Sequence, residues 1–131
     1  MTRKEKELLL KDLCARLPYG VKIDCGTKLQ FYVLQCIFVD AEDGHVDIMN
    51  DYGLTYEIED VKPYLRPMSS MTEEEVDEYN DLCACNTPFP GIVEERVAEF
   101  MDWLNAHHFD FRNFIEKGLA LEAPKDMYKE D

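Results

Sequence analysis

Residues 92–121 constrain the fold most, because they contain the only Trp, two of the three His and the densest helical pattern of the chain. Their apolar side chains recur at positions i, i+4, i+7, i+8 and i+11, which is one face of an α-helix. These side chains are Val93, Val97, Phe100, Met101 and Leu104. A helix with one apolar face needs a second layer to cover that face, so we expect the upstream residues to form this layer.

The upstream residues predict a helix followed by four short strands. Thr2 and Glu5 have the spacing of a capping box, and an apolar stripe continues from there to Pro18, which ends the helix. Between residues 19 and 58 apolar and polar side chains alternate, as in half-buried strands. We expect strands at residues 21–25, 28–39, 45–49 and 54–58, joined by tight turns that include Gly26-Thr27. The second strand is apolar on both faces, with residues 32, 34, 36 and 38 on one of them, so we expect it to be central and covered on both sides.

The downstream residues carry breaks and a second helix start. Pro63 and Pro67 predict extended backbone over residues 61–70 that crosses a sheet edge without continuing a ladder. A second capping box over residues 72–75 predicts a helix, and residues 86–91 should separate it from the long helix. Gly118 is placed to end a short helix or turn near residue 117, and residues 120–131 are expected to fray.

Together these patterns predict a single α+β domain over residues 1–131, a length typical of one domain. We expect an N-terminal helix, a four-stranded antiparallel meander, with a small SH3-like barrel as one form of it, and then two or three C-terminal helices. The β-rich half should occupy about residues 19–60 and the helical half about residues 72–118.

The charge of the chain is strongly acidic, with 28 acidic and 14 basic residues and a formal net charge of −14. Eight acidic residues and no Lys or Arg fall between Lys28 and Lys62, whereas the first 22 residues carry six basic and three acidic ones. Such a field argues against binding to a nucleic-acid backbone or to an anionic membrane surface. It is explained either by solubility or by an acidic face that competes for a basic site on another protein.

The five cysteines are an odd number, and the charged N-terminus lacks the apolar run of a signal peptide. We therefore expect reduced, mostly buried cysteines in a cytoplasmic protein. No run of apolar residues is long enough to predict a transmembrane helix.

The sequence contains no recognisable catalytic or nucleotide-binding motif. Cys83 and Cys85 could join His107 and His108 as metal ligands, but adjacent histidines on a helix point about 100° apart, so one ion rarely binds both. We predict no metal and no cofactor. A hydrolase-type enzyme that uses His107 or His108, with Asp110 orienting one ring, is the third functional alternative.

An exposed recognition patch after the long helix ranks above catalysis as the functional interpretation of the same residues, since Trp and Arg are common at interface hot spots. A structural alternative is that one His caps the helix end while the other is exposed. The candidate partner-binding residues are Trp103, His107, His108, Phe109, Asp110 and Arg112.

Three stretches, at residues 8–22, 60–75 and 103–124, resemble a family of small acidic proteins of gut anaerobic bacteria that are associated with prophages and other mobile elements. The chain departs from the family pattern at Phe111 and Asn113, where the family tends to have Tyr and Gly. No activity is established for the family, so the resemblance implies a bacterial or phage cytoplasm and no reaction.

We therefore expect a non-enzymatic protein-interaction module of a phage or mobile element, with an unknown protein partner and no direct contact with nucleic acid or membrane. The main alternative is an acidic decoy that mimics nucleic acid and occupies a DNA- or RNA-binding protein through residues 40–60 and 73–81.

Overall fold

The computed structural model describes residues 1–26, 31–83 and 90–128, with the backbone alone for residues 83 and 90–96. It has the expected α+β fold, with an N-terminal helix, a mixed six-stranded sheet and C-terminal helices. The helices are α1 (Arg3–Arg16), α2 (Glu73–Cys83) and α3 (Pro90–Ala106), and the strands are β1 (Lys22–Asp24), β2 (Tyr32–Val39), β3 (Val46–Asn50), β4 (Thr55–Glu57), β5 (Lys62–Leu65) and β6 (Leu121–Glu122).

Both predicted capping boxes are present. At the start of α1 the Glu5 amide donates to the Thr2 hydroxyl, and the Glu5 carboxylate accepts from the Thr2 amide. Thr72 and Glu75 exchange the same two hydrogen bonds at the start of α2, at 3.2 and 2.9 Å. Each box satisfies amides that the first turn of a helix leaves without a partner, so both helix starts follow from local sequence.

The sheet has the strand order β4-β3-β2-β1-β5-β6, so it is larger than the predicted four-stranded meander. Strands β1 to β4 do pair antiparallel with their neighbours in sequence. The prediction for residues 61–70 was wrong, because Lys62–Leu65 forms β5 and pairs antiparallel with β1. Pro63 is tolerated inside the sheet because β6 pairs only with Tyr64 and Leu65, so no β6 residue lies opposite the proline.

The C-terminal residues do not fray as predicted over the part that the structure describes. Leu121 and Glu122 form β6 and pair parallel with β5, which extends the sheet beyond the predicted range of residues 19–60. The Ala123 amide donates to the Leu65 carbonyl at 2.8 Å, and Tyr128 is hydrogen-bonded to β1 and β5. Contacts with strands that are distant in sequence therefore hold this segment.

A β-bulge in β2 changes the predicted facing of its side chains. The register shifts between Leu34, which pairs with Asn50, and Cys36, which pairs with Met49. Because directly paired residues point to the same face, Leu34 and Asn50 lie on one face and Cys36 and Met49 on the other. The prediction of residues 32, 34, 36 and 38 on one face was therefore wrong.

The hydrophobic core lies on the inner face of the sheet, the face that carries Leu34, Ile48 and Ile23. Leu9 and Leu13 of α1 pack on it and are fully buried. The turn after α3 adds Phe114, Leu119 and Ala120. The opposite, outer face carries the side chains of Lys22, Val33, Cys36, Asp47 and Met49.

Some predictions fall on residues outside the description, namely Thr27 of the predicted turn, residues 28–30 of the predicted second strand, and residues 86–89 of the predicted break. Pro90 and Gly91, which belong to the same predicted break, are helical and begin α3. Within the described ranges no helix combines the length and apolar character needed to cross a bilayer.

Candidate functional site

The C-terminal end of α3 is a Schellman turn with a histidine in the position usually taken by glycine. His108 has φ 63°, in the left-handed region. Its amide donates to the Asn105 carbonyl at 3.1 Å, and the Phe109 amide donates to the Leu104 carbonyl at 3.0 Å, which is the bonding pattern of this motif. Leu104 and Phe109 are buried, as the accompanying apolar contact requires. The end of α3 is therefore part of the core.

Arg66 ties this turn to the end of β5. Its amide donates to the His108 carbonyl at 2.7 Å, and its carbonyl accepts from the Asp110 amide at 2.8 Å. Its guanidinium lies 4.3 Å from the centroid of the Phe109 ring and forms a bidentate pair with Glu75 at 2.7 and 2.8 Å. The hydrogen bond from Arg66 is the main reason that the pKa of Glu75 falls to about 2.

Trp103 and His107 belong to an aromatic cluster between α2 and α3. The indole N–H of Trp103 donates to the Glu78 carboxylate at 2.8 Å, and its ring lies 4.6 Å from that of His107 and 5.5 Å from that of Phe109. His107 Nδ1 lies 3.1 Å from a Glu75 carboxylate oxygen. Both side chains are half-buried and contact neighbours within the chain, so each presents only part of its surface.

Asp110 caps the turn that follows. Its carboxylate accepts from the amides of Phe114 at 2.8 Å and Ile115 at 3.0 Å, and the turn ends at Gly118, whose φ is 77°. The predicted stop at Gly118 is confirmed. Asp110 was considered as the group that orients a His ring. Instead it is 6% exposed, and its carboxylate binds these two backbone amides.

Arg112 reaches back to α1 and shares Asp12 with Arg16. The Asp12 carboxylate accepts hydrogen bonds from Arg16 Nε at 2.8 Å and from Arg112 Nε at 3.2 Å. Arg16 Nη2 also donates to the Phe109 carbonyl at 2.6 Å. Asp12 and Arg16 are fully buried, and both arginines lie against the ring of Phe111. The contacts of Arg112 therefore fix the segment onto α1.

His108 is covered by Tyr128, near the C-terminus, with ring centroids 3.7 Å apart. Burial, followed by the charges of Arg16 and Arg66, lowers the pKa of His108 to about 4, so the ring is neutral at pH 7. Its Nδ1 is buried and finds no hydrogen-bond partner among the described residues. His108 is therefore a neutral ring that is 8% exposed and stacked on Tyr128.

The predicted patch is therefore divided by burial. Trp103, His107 and Arg112 are half-buried, whereas His108, Phe109 and Asp110 are buried, so the predicted exposure of these last three residues was wrong. The physical reason is that the backbone of His108, the Asp110 carboxylate and the Phe109 ring all make contacts within the chain.

The metal ligands considered from the sequence fall only partly within the described residues, because the side chain of Cys83 and the whole of Cys85 lie outside them. Within the described residues no group of three or more His, Cys, Asp or Glu side chains is arranged to hold a metal ion. Three cysteines are described as free, with Cys14 exposed, Cys25 buried and Cys36 half-buried. Burial is the main reason that the pKa of Cys25 rises to about 11, so this thiol is a poor nucleophile at neutral pH.

A surface that the sequence analysis missed lies on the outer face of the sheet. The outer stripe consists of Phe31, Val33, Cys36 and Phe38 along β2 and its approach, with Met49 beside them on β3. Phe31 is 46% exposed and Phe38 is 50% exposed, and the other three are half-buried. The alternation of apolar residues along the strand was the available signal, and the bulge at Gln35 hid which of them share a face.

Acidic side chains border the outer stripe. Phe38 is paired with Asp47, which is paired in turn with Glu57, so all three point to the outer face. The turn between β2 and β3 adds Asp40 and Asp43, whose carboxylates accept backbone amides of that turn. The acids of the turn thus have a local structural role and still leave this end of the sheet negatively charged.

Comparisons with known proteins add no family and no activity to this description. No protein-family model, no curated protein and no solved structure matches the chain.

Proposed function

We propose that this protein is a non-enzymatic interaction module that serves a phage or other mobile element by binding another protein. The observation that carries the proposal is the distribution of exposed apolar side chains. Of nine large hydrophobic residues exposed in the described part of the chain, five lie between residues 31 and 54. These are Phe31, Phe38, Val39, Tyr52 and Leu54. Two of them, Phe31 and Phe38, share the outer face of the sheet with the half-buried side chains of the outer stripe. An apolar patch exposed on one face, unlike single scattered side chains, is typical of an interaction site.

The charge of the same region supports a binding role. Residues 31–61 contain eight acidic residues and no Lys or Arg, so apolar and acidic groups occur together there. A surface of this kind offers a partner both apolar contact and electrostatic steering. The phage or mobile-element setting rests on the resemblance of residues 8–22, 60–75 and 103–124 alone.

Affinity capture with matched variants tests the proposal. The protein is immobilised and incubated with a nuclease-treated lysate of a gut anaerobic bacterium, then washed at low and at high salt. Phe38→Ser removes an exposed ring from the sheet, and Val97→Ser removes an exposed apolar side chain from α3 as the control. We expect one stoichiometric protein to be retained by the wild type and by Val97→Ser, and lost with Phe38→Ser.

A parallel variant addresses the segment that the sequence favoured. Trp103→Ala should weaken capture only if the half-buried ring contacts the partner. Loss of capture with Trp103→Ala in a folded protein, together with full capture by Phe38→Ser, would move the contact surface to the aromatic cluster of α2 and α3. Unfolding of Trp103→Ala would instead identify the ring as part of the core.

The acidic decoy is the second candidate, and it is favoured by the net charge of −14. A decoy would retain a nucleic-acid-binding protein that DNA or RNA displaces, and its binding would fall steeply with salt because it rests on screened charges. It would also tolerate Phe38→Ser. The same capture experiment therefore separates the two functions by salt, by nucleic-acid competition and by one variant.

A further inference from the structure

The outer face of the sheet is covered on one half and open on the other. Over β1 and β5 it is crossed by the C-terminal residues, since Lys22 Nζ donates to the Met127 carbonyl at 2.6 Å and lies 5.4 Å from the centroid of the Tyr128 ring. Over β2, β3 and β4 the side chains of Phe38, Thr55 and Glu57 are exposed. An apolar sheet face is normally covered by a second layer.

We propose that the outer stripe is the docking site for a cationic amphipathic helix of the partner protein. This inference rests on the proposed function and adds the chemistry of the partner to it. A helix supplies an apolar face for Phe31, Val33, Cys36, Phe38 and Met49. Its basic side chains would pair with the acids that border the stripe.

The charges beside the stripe require a positive partner. Asp47 and Glu57 point to the same outer face as Phe38, and His45 Nε2 lies 3.0 Å from the Asp47 carboxylate. Lys22, which lies over the Phe31 ring at the other end of the stripe, is already engaged by the Met127 carbonyl. The stripe therefore has acidic side chains beside its Phe38 end, and at its Phe31 end a lysine that is already hydrogen-bonded within the chain.

The edge of the sheet is unsuited to a partner strand. β4 is the edge strand and has three residues, Thr55 to Glu57, after which the chain turns away through Ile58–Asp60. Short, charged edge strands are the usual protection against strand addition. A partner therefore gains more by lying across the face than by extending the ladder.

A second copy of the chain is an unfavourable occupant. Each copy carries a formal charge of −14, so a symmetric contact through the stripe would bring two strongly acidic surfaces together. Like charges at such an interface oppose association. A basic segment from another protein removes this repulsion.

The length of the stripe defines a suitable probe. Residues 31 to 38 of an extended strand span about 23 Å, which an α-helix covers with about 15 residues. The probe is a fluorescent synthetic helix of about this length, made of Leu and Lys, with Leu at the i, i+3, i+4 and i+7 positions. One control peptide has the same composition with Leu and Lys alternating, and a second contains Lys alone.

Fluorescence anisotropy then measures binding of each peptide to the full chain at low and at physiological salt. We expect the amphipathic helix to bind at least tenfold more tightly than either control peptide. Phe38→Ser should weaken its binding about tenfold, the order of effect expected when an aromatic interface contact is truncated, while Val97→Ser leaves the affinity unchanged. Asp47→Lys should weaken binding more than Glu116→Lys, which reverses an exposed charge in the turn after α3.

Other outcomes overturn the inference. If the Lys-only peptide binds as tightly as the amphipathic helix, the interaction is purely electrostatic and the decoy is favoured. If Phe38→Ser binds the helix as tightly as the wild type does, the stripe is not the binding site. A Phe38-dependent dimer in sedimentation would replace the helix with a second copy. If lysate capture depends on Phe38 and the helix does not bind, the proposed function survives and only the helix fails. If Phe38→Ser changes neither lysate capture nor helix binding, the helix proposal fails, and the proposed function fails with it unless Trp103→Ala abolishes capture.

Discussion

Replacing Tyr128 with Phe tests whether the C-terminal residues are part of the sheet. The Tyr128 hydroxyl accepts from the Lys22 amide at 2.7 Å and donates to the Tyr64 carbonyl at 2.8 Å. The β1–β5 register pairs Ile23 with Pro63, so Lys22 and Tyr64 are the next residues along the two strands. The hydroxyl thus bridges two backbones at the end of their ladder.

The loss of free energy can be worked from these two bonds. The phenylalanine ring of the variant would keep the stacking contact with His108, while the Lys22 amide and the Tyr64 carbonyl would each lose a partner in a partly buried site. An intramolecular hydrogen bond contributes about 1 kcal/mol net, and a buried group left without a partner costs about 1–3 kcal/mol. We expect Tyr128→Phe to lower the free energy of unfolding by about 2 kcal/mol.

Urea denaturation followed by Trp103 fluorescence and by far-UV circular dichroism measures this change, as a shift in midpoint of about 1 M. Tyr52→Phe is the matched control, because Tyr52 is 68% exposed, and it should change stability by less than about 0.5 kcal/mol. Hydrogen exchange adds a local readout, in which the Lys22 amide exchanges faster in Tyr128→Phe. Equal stability of the two variants with an unchanged Lys22 amide would refute the bridging role of the hydroxyl.

Two further predictions concern the turn at the end of α3. The pKa of His108 is lowered from 6.5 to about 4, so between these pH values the unfolded chain binds more protons than the folded one. The free energy of unfolding should therefore be at its full value above pH 6.5 and fall by up to about 3 kcal/mol as the pH drops to 4. Urea midpoints across this range should show the fall in the wild type and a smaller one in His108→Asn, and equal slopes for the two proteins would contradict the prediction. Arg66→Met should lower the free energy of unfolding by about 2 kcal/mol, because it leaves the Glu75 carboxylate, which is 12% exposed, without its bidentate partner. Arg3→Met is the control: it removes an exposed pair with Glu7 and should leave the urea midpoint unchanged.

The helix ends were predictable because their signals are local. Thr2 and Glu5 are three residues apart and satisfy each other, and the same holds for Thr72 and Glu75. The turn that ends at Gly118 is closed by backbone bonds that span at most six residues. A pattern of this range can be read from the sequence without knowledge of the tertiary structure.

The sheet was only partly predictable because two of its strands depend on distant partners. β5 contains Pro63, whose local signal opposes a strand, and it forms because β1 lies beside it. β6 has two residues and no period that could identify it. The bulge at Gln35 likewise has no sequence signal of its own, and it decides which side chains of β2 are exposed.

The exposure of the segment after α3 was misjudged. Polar side chains near a helix end are usually solvated, which favoured a surface interpretation of His108 and Asp110. Their burial depends on Arg66 and Tyr128, which contact the segment from positions far away in sequence. Side-chain chemistry indicated that these residues make specific contacts, but it could not indicate that the contacts are within the chain.

The location of the arginines explains why the segment after α3 is a less favourable binding surface than the outer stripe. Arg16 and Arg66 hold the segment after α3 through Asp12 and Glu75, so a partner that used Phe109 would first have to break buried or partly buried ion pairs. Breaking such a pair leaves a poorly solvated charge, which opposes binding. A cationic partner at the proposed docking site would displace only water from the exposed Phe38 ring and would meet acids that attract it. Of the two surfaces, the outer stripe is therefore the one that we expect a partner to cover without any loss of folding free energy.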